Sequence, residues 1–153
     1  MKTSFSFSKA AVAGIAGTVV MTMFTFMAPM MGIEMDIPKM LGSMFGGSLA
    51  IGWVMHFMIG IVLAEAYGFM FYEKIKISNP ALRGAVFGIA PWLMAQLIVM
   101  PMTMMVMNGM SFSSGLFSGS AMMAMGSLVG HLIYGAVVGL VYKPLVNAVP
   151  AKI

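Results

Sequence analysis

The chain has 153 residues, of which 61% are hydrophobic and only 8% are charged, and its mean hydropathy is +1.00. This composition lies far outside the range of soluble domains and excludes that class of protein. The chain contains no cysteine, which excludes disulfide bonds, thiolate metal sites and a cysteine nucleophile. The net charge is +4, and its meaning depends on where the basic residues lie.

Four apolar stretches run along the chain, over roughly 10–32, 48–72, 82–106 and 119–142. Each is longer than the roughly 20 residues that a helix needs to cross a bilayer. They must be helical because lipid cannot satisfy an open backbone. The first stretch is too long for a signal-peptide core and lacks an Ala-x-Ala cleavage site, so we expect it to stay as the first span. The sequence predicts an all-α membrane protein with four transmembrane helices in a single domain over residues 1–153.

The basic residues gather at the N-terminus, between spans two and three, and at the C-terminus. They are Lys2, Lys9, Lys74, Lys76, Arg83, Lys143 and Lys152, while Lys39 alone lies in another connection. The positive-inside rule then predicts a multi-pass membrane protein with both termini in the cytoplasm. Because topology accounts for the charge, we expect the lipid bilayer as a partner and no nucleic acid.

The connection after span one carries a helix-start signal. Asp36 precedes Pro38 and a short apolar run that cannot cross a membrane. Asp is a preferred N-cap residue and Pro suits the first turn of a helix. We expect a short interfacial helix here, capped by Asp36.

The two halves of the chain are similar. The string IGWVMHFMIGIVLAEAY at 51–67 matches GSLVGHLIYGAVVGLVY at 126–142, and it places His56 and His131 at equivalent positions 75 residues apart. Repeat one covers about 8–74 and repeat two about 80–146. Each contains two spans, so both enter the membrane in the same direction. The predicted architecture is therefore two helical hairpins that form a parallel repeat.

Small residues recur every three or four positions in spans two and four, and this spacing places them on one face of each helix. Close helix contacts in membranes depend on such residues. These small-residue stripes should pack against each other or against spans one and three. The predicted packing residues are Gly52, Gly60, Ala64, Ser127, Gly135 and Gly139.

The two histidines are the candidate functional residues. A buried polar group in lipid needs a partner, so we expect each to be neutral and hydrogen-bonded inside the bundle, to Thr18, Thr22, Ser127 or a carbonyl. Ionisable residues within spans are also candidates for function, which keeps a metal site and a bis-histidine haem open. Haem is disfavoured if the two small-residue stripes face each other, because such close packing leaves no slot for the macrocycle.

Methionine contributes 22 residues, many of them at the outer ends of spans one and three. Thioether sulfur and imidazole both suit Cu(I), which makes a copper site conceivable. Methionine also serves as a flexible apolar side chain, and this is the competing explanation. The candidate metal ligands are His56, His131, Met27, Met30, Met100 and Met104.

Glu65 is the acidic residue within span two. Nine residues at about 100° each place it on the side of the helix opposite His56. If the histidine faces inward, Glu65 points outward, and a carboxylate there calls for contact with a partner protein or for a bound proton. No Ser-His-Asp set, His-Glu-x-x-His pair or phosphate loop is present, so we expect no enzyme activity.

Four strings together resemble a family of small four-span prokaryotic membrane proteins of unknown function: GTVVMT at 17–22, MDIPKMLG at 35–42, HFMIG at 56–60 and GHLIYG at 130–135. The resemblance implies a four-helix architecture in the inner (cytoplasmic) membrane of a prokaryote and transfers no catalytic residue. The leading functional hypothesis is a non-catalytic accessory subunit among membrane-protein partners, with a respiratory oxidase as the expected host. The alternatives are a Cu(I)-handling protein that faces the periplasm and a bis-histidine haem b protein.

Overall fold

The computed structural model describes residues 2–33 and 36–147, which are almost entirely helical. Short antiparallel strands β1 (Lys2–Ser4) and β2 (Leu145–Asn147) pair the two ends of this region. The α-helices are α1 (Phe7–Met27), α2 (Ile37–Met44), α3 (Leu49–Ala66), α4 (Pro80–Met94), α5 (Met100–Asn108) and α6 (Ala121–Val141). Single wide π-helical turns extend α3 over Tyr67–Phe71 and join α4 to α5 over Ala95–Val99. Tight 3-10 turns cover Ala28–Met31 and Phe112–Gly119.

Four continuous helical segments are long and apolar enough to cross a membrane: Phe7–Met30, Leu49–Phe71, Pro80–Asn108 and Ala121–Val141. The predicted all-α fold with four spans, arranged as two helical hairpins, is confirmed. Because the number of spans is even, β1 and β2 lie at one end of the bundle, called here the terminal end. Helix α2 and the turn at 112–119 lie at the opposite, loop end.

Short polar side chains begin three of the helices. The Asp36 carboxylate accepts a hydrogen bond from the Lys39 backbone N–H at 2.9 Å and starts α2, as predicted. Ser48 caps α3 and Asn79 caps α4 in the same way. Each cap satisfies a backbone N–H that the first turn of a helix leaves free.

Pro101 explains the wide turn between α4 and α5. Proline has no N–H to donate to the carbonyl four residues earlier, and its ring crowds that position. The backbone responds with a π turn in which the Met100 N–H donates to the Ala95 carbonyl, five residues back. This turn contains Gln96, whose side chain is 1% exposed.

In each hairpin, a glycine of one helix packs directly against the backbone of the other helix. A Cβ on Gly14 would lie 2.7 Å from the Gly60 carbonyl oxygen, and a Cβ on Gly84 would overlap the Gly135 carbonyl oxygen. The α1–α3 contact in repeat one is therefore repeated by the α4–α6 contact in repeat two.

Three of the remaining predicted packing residues lie at similar contacts. Gly139 approaches the Pro80 carbonyl at the start of α4, and Gly52 approaches the Pro38 carbonyl in α2. Ala64 meets Gly14 from the α3 side. The stripes thus pack on spans one and three, and on α2, rather than on each other.

The two-fold relation between the hairpins is incomplete. Helix α1 packs along α6, whereas over the described residues the equivalent pair, α3 and α4, does not pack closely. These two helices approach each other at the terminal end, where the Tyr67 and Phe71 rings each lie 5.2 Å from the Phe87 ring. Toward the loop end they diverge, and a cavity occupies the gap.

Candidate functional site: a cavity shared by both histidines

A cavity of about 520 Å³, called here the histidine cavity, occupies the gap between α3 and α4. Its wall is mainly apolar, and α2 covers it at the loop end, where Asp36 and Lys39 are part of the wall. Both His56 and His131 line it, although they come from different repeats. The duplication therefore places two imidazoles on the wall of one cavity.

The hydrogen bonds of His56 define its tautomer. Its Nε2 lies 2.9 Å from the Thr22 hydroxyl oxygen, and that hydroxyl donates its single proton to the Thr18 carbonyl at 2.7 Å. The Thr22 oxygen must therefore accept from His56, which places the imidazole proton on Nε2. The Nδ1 atom of His56 is left with a free lone pair.

His131 carries its proton on the other nitrogen. Its Nδ1 lies 2.8 Å from the Ser127 carbonyl oxygen, which can only accept a hydrogen bond. Nδ1 is therefore the donor, and the lone pair is on Nε2. Both hydrogen-bond partners, Thr22 and a backbone carbonyl, are of the kinds that the sequence predicts.

Two nitrogen lone pairs thus remain on the wall of the histidine cavity. Neither His56 Nδ1 nor His131 Nε2 accepts a hydrogen bond from the described residues, and neither is among the fully buried unpartnered atoms there. Each nitrogen is able to accept a hydrogen bond or to coordinate a metal ion.

Four other polar side chains on this wall form hydrogen bonds with one another or with the main chain. The Gln96 amide donates to the Ser127 hydroxyl at 3.1 Å and accepts from the Ser118 hydroxyl at 2.7 Å. The Tyr134 hydroxyl donates to the Gly60 carbonyl. Of these, Ser127 is predicted from sequence, as a packing residue. Gln96 is a polar residue in the middle of a span, and such residues are rare in membrane helices.

The six predicted metal ligands do not come together. His56, His131 and Met100 line the cavity, but Met27 and Met30 are 62% and 86% exposed on the helix surface. Met104 accepts a hydrogen bond from the Asn108 amide at 3.4 Å and is not part of the cavity wall. These six residues could not be grouped correctly from sequence, because a position near one end of a span does not determine which face of the helix a residue occupies.

Four further methionines line the histidine cavity, and they come from four different elements: Met21, Met40, Met94 and Met123. Sequence spacing could not group them, because α1, α2, α4 and α6 meet only in the folded chain. Within the part of the chain that the structure describes, no group of three or more His, Cys, Asp or Glu side chains could hold a metal ion. The candidate ligands are the two imidazole nitrogens and these thioethers.

The Glu65 side chain does not have the outward orientation that the sequence predicts. Both carboxylate oxygens are buried, and neither accepts a hydrogen bond from residues 2–33 or 36–147. The Tyr142 ring packs against Gly68 one turn further along and interacts electrostatically with Glu65. The end of α6 therefore covers the side of α3 that a helical wheel would assign to lipid. Contact between Glu65 and a partner protein stays a prediction.

An aromatic cluster closes the terminal end of the bundle. The rings of Tyr67, Tyr72 and Tyr142 lie 5.3 to 5.9 Å apart, edge to face. The Arg83 guanidinium sits 4.8 Å above the Tyr72 ring. The hydroxyls of Tyr67 and Tyr142 are buried without a partner among the described residues. Burial raises the pKa of the Tyr142 phenol.

Comparison with known proteins places the chain in a family. No solved structure matches it, and no protein of curated function matches it either. A family match covers residues 6–152, nearly the whole sequence, in agreement with the resemblance that the four strings indicate. The chain belongs to the family of unknown function DUF6789.

Proposed function

We propose that this protein is a non-catalytic membrane protein that holds a lipid-soluble organic molecule in the histidine cavity. One observation carries the proposal: the two repeat histidines line a single, mainly apolar cavity of about 520 Å³. Sites for organic ligands occupy roughly 300–1,000 Å³, with a few polar groups on an apolar wall. A single metal ion would leave most of this volume empty.

The position of the cavity favours a ligand from the bilayer. It lies where α3 and α4 diverge, between two helices that are apolar enough to cross the membrane. Ile59 and Met94 line it and are also 38% and 47% exposed, so its rim reaches the lipid-facing surface. A lipid-soluble molecule could therefore enter between α3 and α4 without crossing water.

A cavity-filling variant tests this proposal. Ala95 lines the cavity, whereas Ala90 lies on the exposed side of α4, so Ala95→Phe and Ala90→Phe add the same ring at different places. Native mass spectrometry of protein purified in mild detergent should show an organic adduct on the wild type and on Ala90→Phe. The Ala95→Phe variant should lose it. Equal adducts on all three, or no adduct on any after incubation with a lipid extract, would refute the proposal.

The wider role that we propose is that of an accessory subunit in a larger membrane assembly, with a respiratory oxidase as the expected host. Its support is the small size of the chain and the short connections between its four spans. The argument from an outward Glu65 no longer supports it, since both oxygens are buried. Purification from native membranes under mild detergent should recover the protein with larger subunits. Migration only as a lone protein or a homodimer would count against this role.

Cu(I) handling is the second candidate function, favoured by the thioethers that share the cavity with the imidazoles. Five methionines, Met21, Met40, Met94, Met100 and Met123, line it together with two nitrogen lone pairs. Metal analysis of the purified protein, repeated on a His56→Ala, His131→Ala double variant, tests this function. Copper in the wild type and its loss in the double variant would favour it, and a copper-free wild type after loading would remove it.

A bis-histidine haem is less well supported. The small-residue stripes do not face each other, so the gap is wide enough to reconsider haem. However, Nε2 of His56 donates to Thr22, and the free nitrogen is the more crowded Nδ1 beside the main chain. A Soret band in the visible spectrum of the purified protein would support haem, and its absence after incubation with haemin would exclude it.

A further inference from the structure

We infer that the ligand of the histidine cavity is a lipid-soluble phenol or hydroquinone whose hydroxyl donates to the free nitrogen of His131, and we infer that His56 offers a second acceptor. This inference rests on the proposed function and names the chemical class of the bound molecule. It follows from the hydrogen-bonding state of the wall and from the side chains that surround it.

His131 offers the cavity an acceptor that its own helix holds in place. The Ser127 carbonyl fixes the proton of His131 on Nδ1, so Nε2 is held as an acceptor. The Ser118 and Tyr134 hydroxyls donate within the protein, as does one of the two Gln96 N–H groups, and Lys39 lines the cavity at the loop end. A ligand O–H group completes the hydrogen bonding of Nε2, whereas a carbonyl or carboxylate at that nitrogen would place lone pair against lone pair.

The same reasoning predicts selectivity for redox state. A hydroquinone carries two O–H donors, and the corresponding quinone carries two carbonyl acceptors. Because Nε2 of His131 accepts, the reduced form should bind at this nitrogen and the oxidised form should bind there more weakly. His56 is less strictly fixed, since rotation of the Thr22 hydroxyl would allow its tautomer to exchange, so His131 is the principal acceptor.

The apolar part of the wall favours an aromatic body over an acyl chain. Five methionines surround the cavity, and thioether sulfur makes favourable contacts with aromatic rings. A ring also loses less conformational freedom on binding than a flexible chain of similar size. The Tyr134 ring lies on the same wall and offers a further aromatic contact.

A matched pair of probes tests the inference on the wild-type protein. In para-nonylphenol and para-nonylanisole the ring and chain are the same, but only the phenol has a donor. We expect the phenol to bind about three- to tenfold more tightly in nanodiscs, the effect of one hydrogen bond. Equal affinity for both would overturn donor recognition and leave the proposed function standing, whereas binding of neither would overturn the proposed function itself.

Variants and a second pair of ligands complete the test. His131→Phe should remove most of the preference for the phenol, while Val129→Phe, on an exposed position of α6, should keep it. An alkyl hydroquinone should bind more tightly than its quinone. If the quinone binds as well, or if a monoacylglycerol competes as strongly as the phenol, the assignment of an aromatic donor is overturned.

Discussion

Thr22 sets the chemistry of His56. When its hydroxyl donates to the Thr18 carbonyl, it accepts from Nε2, and the lone pair of the imidazole is on Nδ1. A hydroxyl near the end of α1 thereby influences what an imidazole on α3 is able to bind. The repeat-equivalent His131 reaches the opposite tautomer by using a carbonyl of its own helix. Two copies of one motif thus present different nitrogens.

The Thr22→Val variant should lose stability. Valine keeps the shape but removes the acceptor of the His56 N–H, which leaves a buried donor without a partner. We expect the free energy of unfolding in mixed micelles, measured by titration with SDS, to fall by about 1–2 kcal/mol. Thr22→Ser retains the hydroxyl and should lose less. Equal losses in the two variants would show that the hydrogen bond is not the cause.

Tyr142 should make stability depend on alkaline pH. Burial raises the pKa of its phenol above the unfolded value of about 10, so the folded state keeps a proton that the unfolded state releases. Its contribution is complete below about pH 10 and is lost as the pH rises toward the folded pKa. The free energy of unfolding should fall more steeply above about pH 10 in the wild type than in Tyr142→Phe. Identical slopes would contradict this assignment.

At the scale of elements, backbone contacts at glycine hold the two hairpins together. A Cβ on Gly84 would overlap the Gly135 carbonyl oxygen, whereas a Cβ on Gly130 would meet the flexible end of Met21 at 3.4 Å. A side chain that moves tolerates an added methyl group, and a backbone carbonyl does not. The two positions therefore form a matched pair within the α4–α6 hairpin.

Gly84→Ala should cost about 1–3 kcal/mol of unfolding free energy, because α4 and α6 would have to separate. Gly130→Ala should be neutral or slightly stabilising, since alanine favours a helix over glycine. The same unfolding titration in mixed micelles compares the two variants. A loss at Gly130 as large as that at Gly84 would show that contact distance does not determine the effect.

The π turn at 95–99 places a polar side chain on the wall of the histidine cavity. Pro101 prevents a regular helical hydrogen bond, and the wide turn before it contains the buried Gln96. Gln96 then joins Ser127 of α6 to Ser118 of the loop-end turn. A backbone irregularity that proline requires thus supplies a polar link across the second hairpin.

At the scale of the whole molecule, the duplication is imperfect where function is proposed. A complete two-fold arrangement would pack α3 along α4 as closely as α1 packs along α6. Instead, the α3–α4 contact is confined to aromatic rings at the terminal end. The missing contact leaves the cavity that both histidines line. The cavity is therefore a consequence of the broken symmetry.

The positive-inside rule predicts the membrane orientation from the basic residues at the terminal end, and this prediction is open to direct measurement. The chain has no cysteine, so single-cysteine variants report one position each. Ser113 lies at the loop end and Ser78 in the connection at the terminal end, and both are exposed. In intact cells, a membrane-impermeant maleimide should label Ser113→Cys but not Ser78→Cys until the membrane is opened. The reverse pattern would show that the positive-inside prediction is wrong.

The amino-acid sequence by itself determined the class of fold and the repeat. Four apolar stretches require helices because lipid offers the backbone no hydrogen bonds, and the equivalent His56 and His131 reveal the duplication. The capped helix α2, beginning after Asp36, was also predictable, since an N-cap depends on residues within one turn. All of these features are local or periodic along the chain.

Only the tertiary structure decided which faces meet. It placed Met21, Met40, Met94 and Met123 on one cavity, and it left Met27 and Met30 on the surface. It also buried the Glu65 carboxylate, which a helical wheel had directed outward. Periodicity gives the position of a residue around its own helix. Which other element packs against that face depends on contacts between segments that are distant in the sequence. The separation of α3 from α4 depends on contacts of this kind. The cavity could therefore not be predicted from the sequence.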